Sequence, residues 1–412
     1  MQTATNAQNN KCAWLNWSIA VAFVILVFGV QTGYAITNAQ MAKSLKLDPA
    51  DIGTIGSTYT FCFAITQLIS GALLDRLGAQ RLLPAACATL TLGVFCFAFS
   101  GSLSLLIVAQ VLIAIGAAFG FVGAGFVGGK WFASERYGFM FALVQFVASF
   151  SAFLSQQLLN QILVKLPWNW VITGIGIFGV FVLILMFLWL RDPISTISQE
   201  NKKISSIAFI NRVIHDVLSI FKISQMWRVI LIGAVSFGVM LCIGTVWGPL
   251  LLLSHGITES QANSAVSLSW LGLAFGAPAF VYWAEKYNKD NQALTVGLVL
   301  QFISISCLIF IRISNALICD LLMFCWGFAA GASMLPFSIA AKKAGAAFAG
   351  TSAALVNGGQ FLLAGFLITM AGQLMASSFT LGVQKALIIL PISLLIAFIL
   401  SLKNDKSVIK EK

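Results

Sequence analysis

The chain has 412 residues, 59% of them hydrophobic and only 9% charged. A soluble domain carries roughly 25% charged residues, so this composition excludes a globule clothed in water and requires lipid around most of the fold. The formal net charge of +11 is scattered over short loops between apolar runs, which excludes a nucleic-acid-binding surface.

A membrane-crossing helix needs about 20 mostly apolar residues. At that length the sequence divides into twelve expected spans. Six of them cover 16–39, 51–73, 82–100, 103–129, 138–163 and 169–190; the other six cover 228–253, 261–283, 293–311, 316–340, 346–375 and 383–402. Unbroken apolar runs of this length do not suit the alternation of a membrane barrel, so the expected class is all-α. With the amino terminus placed in the cytoplasm, 19 of the 24 basic residues fall on internal segments and 5 on external ones. The positive-inside bias therefore puts both termini in the cytoplasm. The eight cysteines form no CxxC pair and none lies in an expected external loop, so neither a zinc site nor an external disulfide is expected.

In chain order, span one carries Gln31 and Tyr34. Asp48-Pro49-Ala50-Asp51 then reads as a helix start, with a capping acid, a proline in the first turn and an acid at the positive helix end. Span two carries Tyr59 and Gln67. The loop after it reads Gly71-Ala-Leu-Leu-Asp75-Arg76-Leu-Gly78-Ala-Gln-Arg81. Gly71 allows two helices to approach, Gly78 permits a tight turn, Asp75 can face a neighbouring helix terminus, and Arg76 and Arg81 can reach acidic partners. This run resembles the G-x-L-x-D-R-x-G-x-R/K-R/K signature of the major facilitator superfamily, at the place that family carries it. The resemblance implies two pseudo-symmetric six-helix bundles, a self-sufficient monomer, and a latch at Gly71, Asp75, Arg76, Gly78 and Arg81 that stabilises the outward-facing conformation.

Span four is rich in glycine, from Gly116 to Gly129, which suits close helix contacts. Gln110 stands early in it, where many relatives carry an arginine. Span five has no proline and no glycine after Gly138, unlike the drug antiporters of the superfamily, which disfavours efflux. Arg191 to Trp227 is the longest polar stretch and reads as a cytoplasmic linker with a short amphipathic helix on the membrane surface. The expected organisation is therefore 1–190, a first bundle; 191–227, the linker; and 228–412, a second bundle with a tail. Internal similarity supports two related halves: Ala142-Leu-Val-Gln145 recurs as Ala354-Leu-Val-Asn357, and Asp75-Arg76 as Glu285-Lys286, at offsets of 212 and 210. In the second copy Val281 and Asn288 replace Gly71 and Gly78, so the latch at Glu285 and Lys286 is expected to be weaker.

Asp320 is the one carboxylate inside an expected span, near the external end of span ten. It is a candidate for proton coupling, or for pairing with Arg312. Without charge at midplane, the cavity is expected to be lined by amides and aromatic rings. The candidates are Gln31, Tyr34, Tyr59, Gln67, Gln145, Trp247, Trp270, Trp326, Asn357 and Gln360. The remaining tryptophans, including Trp17 and Trp168, lie near span ends and read as interfacial anchors.

No HExxH motif or GxxxxGK[ST] loop occurs, so neither metal hydrolysis nor ATP-driven pumping is expected. No catalytic constellation, metal site or cofactor is expected either. The two stretches Ser57 to Arg81 and Phe119 to Phe132 resemble the phagosomal transporter branch of the superfamily in intracellular bacteria. That resemblance implies uptake of amino acids or similar nutrients across the inner membrane by alternating access, with the proton as coupling ion. Siderophore transport, metabolite or drug transport, and a transporter-derived sensor are the rival readings.

Overall fold

The computed structural model describes residues 2–132, 137–192, 206–345, 349–377 and 382–402, and among them there is helix but no strand. The first crossing is α1 (Gln2–Leu45), followed by α2 (Pro49–Leu77) and α3 (Ala79–Ala98). The fourth is broken into α4 (Leu103–Ala117) and α5 (Gly120–Trp131); α6 (Tyr137–Leu163) and α7 (Trp168–Trp189) follow. A linker helix, α8 (Ser206–Phe221), precedes the seventh crossing. That crossing consists of α9 (Met226–Cys242), a π-helical turn (Ile243–Trp247) and α10 (Gly248–Leu253). Then come α11 (Glu259–Tyr287), α12 (Asp290–Phe310), and α13 (Ala316–Ala330) continued through a 3₁₀ turn (Gly331–Met334) into α14 (Leu335–Ala344). The chain closes with α15 (Ala349–Ser377), α16 (Val383–Ala386) and α17 (Ile389–Ser401). Among the described residues, 11 crossings are long and apolar enough to span a membrane. The 27-residue α6 falls on the remaining expected window.

Side chains set the helix starts. Asp48 accepts from Asp51 N–H at 2.8 Å, the cap read from the sequence, and Asp51 also accepts from Asp48 N–H at 3.1 Å, which makes a reciprocal box. Ser102, Thr258 and Asn315 likewise accept from backbone N–H groups at the starts of α4, α11 and α13. Spans two, four, eight and ten therefore all enter from one end of the molecule through a capped turn. We call this the far end, and the opposite end, where the linker leaves α7, the linker end.

The two parts of the chain repeat one packing scheme. Span one packs on five and six as span seven packs on eleven and twelve, and span two lies on four as eight lies on ten. The break in span four at Ala118 and that in span ten at Gly331 stand 331 − 118 = 213 residues apart, close to the sequence repeat. Between the halves, span two packs against span eleven and span five against span eight. Where helices touch most closely the residue is glycine. A Cβ at Gly116 would stand 2.4 Å from Ala86 O in span three, and one at Gly327 would stand 1.9 Å from Ser269 O in span eight. This is the small-residue packing that lipid, which offers helices no hydrophobic driving force, requires.

Ile177, Phe181, Ile184 and Phe187 on span six are exposed, as a lipid-facing surface must be. Trp14, Trp170, Trp189 and Trp227 are also exposed, in keeping with interfacial anchors. Trp17 and Trp168 are not: both are buried, and Trp168 donates to Ser44 Oγ at 3.0 Å, tying span six to span one. In the linker, α8 exposes Ile214, Leu218 and Phe221 while burying Ile220 against its neighbours, spans seven and eleven. These exposed apolar residues share one face of the helix; Lys202 and Lys203 lie outside the described residues.

Candidate functional site

At the linker end, the loop signature builds a joint around Gly78. Its backbone takes φ +75°, and an added Cβ would stand 2.2 Å from Asp192 Oδ2. Into that space the Asp192 carboxylate reaches from the end of span six. It accepts from Ala79 N–H and Gln80 N–H, each at 3.1 Å, and so caps span three. Next to it, Arg191 N–H donates to Asn16 Oδ1 at 2.6 Å and Arg191 O accepts from Trp131 Nε1 at 3.3 Å. The Arg191 guanidinium folds back on Leu188 and Leu190 carbonyls at the helix's negative end. Spans one, three, four and six are joined here.

The Asp75 and Arg76 side chains lie outside the described residues. Arg81 is exposed and meets no carboxylate among the described residues. Gly71 departs from expectation: a Cβ there would meet nothing within 4 Å. The tight contact of span two with span eleven lies farther toward the far end, where a Cβ on Gly53 would be 3.1 Å from Ile368 O. In the second copy Asn288 also has a positive φ, +53°, but its ψ of 44° makes it a left-handed helix cap, not the extended turn of Gly78 with ψ 161°. Glu285 is exposed, and the Lys286 ammonium sits over the Tyr282 and Tyr287 rings at 5.4 and 5.5 Å. Among the described residues the ion pair at this end is Lys342 with Asp290, joining spans ten and nine.

A cavity of about 20 Å³ lies between the halves, lined by Val30, Gln31, Tyr34, Gly56, Tyr59, Thr60 and Gln110 from one half and Leu241, Thr245, Val246 and Phe361 from the other. That is room for one or two water molecules, so a solute fits only when the halves part. Counting about 1.5 Å of rise per residue, its lining residues lie roughly 10–25 Å in from the far end. Gln31 Nε2 donates to Tyr59 Oη at 2.6 Å and Tyr34 Oη donates to Ile52 O at 2.8 Å. Three of the sequence candidates, Gln31, Tyr34 and Tyr59, thus meet at one place. Below them Phe361 stacks on Phe63 of the other half, with centroids 4.0 Å apart.

The other candidates do not line this cavity. Trp270 and Trp326 are fully buried in helix packing; Trp270 meets Phe28 edge-on at 5.8 Å and leaves no room for a Cβ on Gly244. Trp247 donates Nε1–H to Ile368 O at 3.1 Å, a bond within the second half beside the interface. Gln145 donates to Ser149 one turn on, Gln67 to Ser70, and Gln360 to Ser333 O in the 3₁₀ turn of span ten. Asn357 is half-buried. Asp320 is half-buried and makes no ion pair among the described residues; Arg312 is exposed and not paired with it, so of the two roles considered the pairing with Arg312 does not form. Among the described residues no three His, Cys, Asp or Glu side chains converge as a metal site would need. Sequence reasoning missed Gln110, Thr60, Thr245 and Phe361 as lining residues. For Gln110 a signal existed, an amide in an otherwise apolar run; the others carry none.

Toward the far end, neutral hydrogen bonds seal the halves together. Asn38 Nδ2 donates to Val246 O at 2.8 Å; Gln157 Nε2 donates to Ser264 and Ser267 hydroxyls at 2.8 and 2.9 Å. Asn160 Nδ2 donates to Ser260 O at 2.9 Å, and Asn263 Nδ2 donates to Asn160 Oδ1 at 3.2 Å. These bonds between the halves all lie on this side of the cavity.

Known proteins share this architecture. A solved structure of the nucleoside transporter NupG, in a point-mutant form, superposes with a TM-score of 0.78 at 12% identity, covering 94% of this chain and 100% of that one. The xylose transporter XylE from E. coli gives 0.73 at 10% identity over 94% and 97%. In sequence, the "probable galactarate/D-glucarate transporter" GudP of Escherichia coli K12 is 24% identical over 183 residues, 42% of this chain but only 40% of GudP. The "uncharacterized transporter" YybO of Bacillus subtilis strain 168 is 21% identical over 74% of each chain. Residues 18–369 match the Major Facilitator Superfamily as a family, and the chain belongs to that superfamily of membrane transporters.

Proposed function

We propose that the protein imports a small polar organic nutrient across the bacterial cytoplasmic membrane by alternating access, with 1–190 and 228–412 as the two moving bundles and 191–227 as the linker between them. The observation that carries this reading is the cavity walled by both halves and covered on its far side by bonds between them. Such bonds must break and reform as a solute passes. Taking the far end as periplasmic, in line with the charge bias of the loops, the structure corresponds to a state closed to the outside. Amino-acid import with protons is the sharper form of the proposal, and Asp320, the one acid in a span, is where a proton would act. Uptake of a labelled amino-acid panel into proteoliposomes, with an inward proton gradient and with it collapsed, tests it. Gradient-dependent uptake is the expected result; gradient-independent uptake removes the proton, and no uptake of any amino acid removes that substrate class.

A further inference from the structure

The polar atoms around the cavity divide into those already spent on the chain and those left over. Tyr34, Thr60 and Thr245 give their hydroxyl protons to backbone carbonyls. Gln31 gives its Nε2–H to Tyr59, which leaves Gln31 Oε1 buried without a partner. The Tyr59 hydroxyl accepts that bond, and its own proton has no acceptor among the described residues. Gln110, 4% exposed, makes no hydrogen bond among the described residues and faces both this cavity and the apolar pocket behind it. The site therefore holds one free acceptor, one free donor and one amide offering both. A buried acceptor left unpaired is costly, so these three groups are set for a ligand.

No charge accompanies them. Among the described residues no acidic or basic side chain lines the cavity. A desolvated carboxylate needs a cation or several donors to hold it, and Gln110 offers no positive charge. We infer that the solute binds here through uncharged hydroxyl or amide groups and carries no net charge, with Gln110 setting this specificity; the sugar dicarboxylates named for GudP are excluded. This inference rests on the transporter reading above and, since a zwitterionic amino acid brings a carboxylate, it competes with the amino-acid form of that reading.

The test is solute flux in proteoliposomes of the full chain, comparing D-galactose, galactitol and uridine with galactarate and D-glucarate. Expected is flux of an uncharged probe, unaffected by either dicarboxylate in excess. Dicarboxylate flux would uphold transport and overturn the solute class alone. Silence from both groups, in protein shown by its melting curve to be folded, would overturn this solute class, and the transporter reading falls with it only if the amino-acid panel is silent as well. For the uncharged probe, Gln110→Leu, which keeps the volume, should raise KM about tenfold with kcat changed less. An unchanged KM in Gln110→Leu would remove Gln110 from the site.

Discussion

At position 78 the backbone turns left-handed, and the volume a side chain would take is filled by the Asp192 carboxylate. Gly78→Ala therefore incurs two penalties, about 1–2 kcal/mol for the conformation and up to about 1 kcal/mol for a displaced cap. Asp192→Ala incurs only the second. In melting experiments in detergent, the double variant should lose less than the two single losses added, because both act on one cap; strict additivity would show that the two do not share it. The turn at Gly78 was legible from the motif, but its partner was not. Asp192 caps a helix start 113 residues away from it, as measured to Ala79, and such a cap leaves no local pattern. The cavity residues divide in the same way. Gln31 and Tyr59 stood out because an amide or phenol in hydrocarbon must find a partner. Trp247, Trp270 and Trp326 stood out only by size, and helix packing surrounds a large ring as well as a solute does, though the Trp270 and Trp326 indole N–H groups find no partner among the described residues.

Single residues also decide how whole elements meet. In the far-end loop before α11, His255 Nδ1 accepts from Ile313 N–H at 3.2 Å, and Nε2–H donates to Leu308 O at 2.8 Å. Ser314 Oγ donates to His255 O at 3.0 Å, so the loop after span seven is clamped to the loop after span nine. With Nδ1 accepting, the ring is neutral. Burial first, and the nearby Arg312 charge, push its pKa below the ordinary histidine value, against an upward pull from the Leu308 carbonyl. A base depressed in the folded state stays neutral there while the unfolded chain takes up a proton. Stability is therefore full above about pH 6.5 and falls as pH drops below it. The wild-type melting temperature should decline between about pH 7 and pH 5, and His255→Gln should start lower and decline less; equal slopes would assign the decline to other groups. Elsewhere the element scale was only partly readable. Asp48 and Thr258 announce their helices by local capping patterns, and the glycines of span four announce close packing. The breaks at Ala118, Ile243 and Gly331 do not show in the apolar pattern, because they arise from how helices fit against one another. Gly327→Ala tests that fit. Its Cβ would collide with backbone in span eight, an overpacking costing typically about 1–3 kcal/mol, read as a lower melting temperature than Gly174→Ala, where a Cβ meets nothing within 4 Å.

For the whole molecule, the packing scheme that recurs from one half to the other makes the halves candidates for rigid bodies, and the contacts between them decide which face is open. At the linker end, the signature loop and the Arg191-Asp192 joint bind spans of one half to each other. At the far end, Asn38, Gln157, Asn160 and Asn263 bind one half to the other through neutral groups. Neutral hydrogen bonds net only about 0.5–1.5 kcal/mol each, so a seal of this kind can open and close without the larger penalty of separating buried ions. If Asp75 stabilises the state open at the far end, Asp75→Asn should slow turnover while leaving membrane insertion and melting temperature near wild type. The seal itself can be tested by locking it. Cysteines at 160 and 260 replace a pair now in direct hydrogen-bond contact, so oxidation should join span five to span eight and stop flux, and a reductant should restore it. If flux persists in fully cross-linked protein, the halves do not part at the far end during the cycle, and the solute must take another path through the membrane.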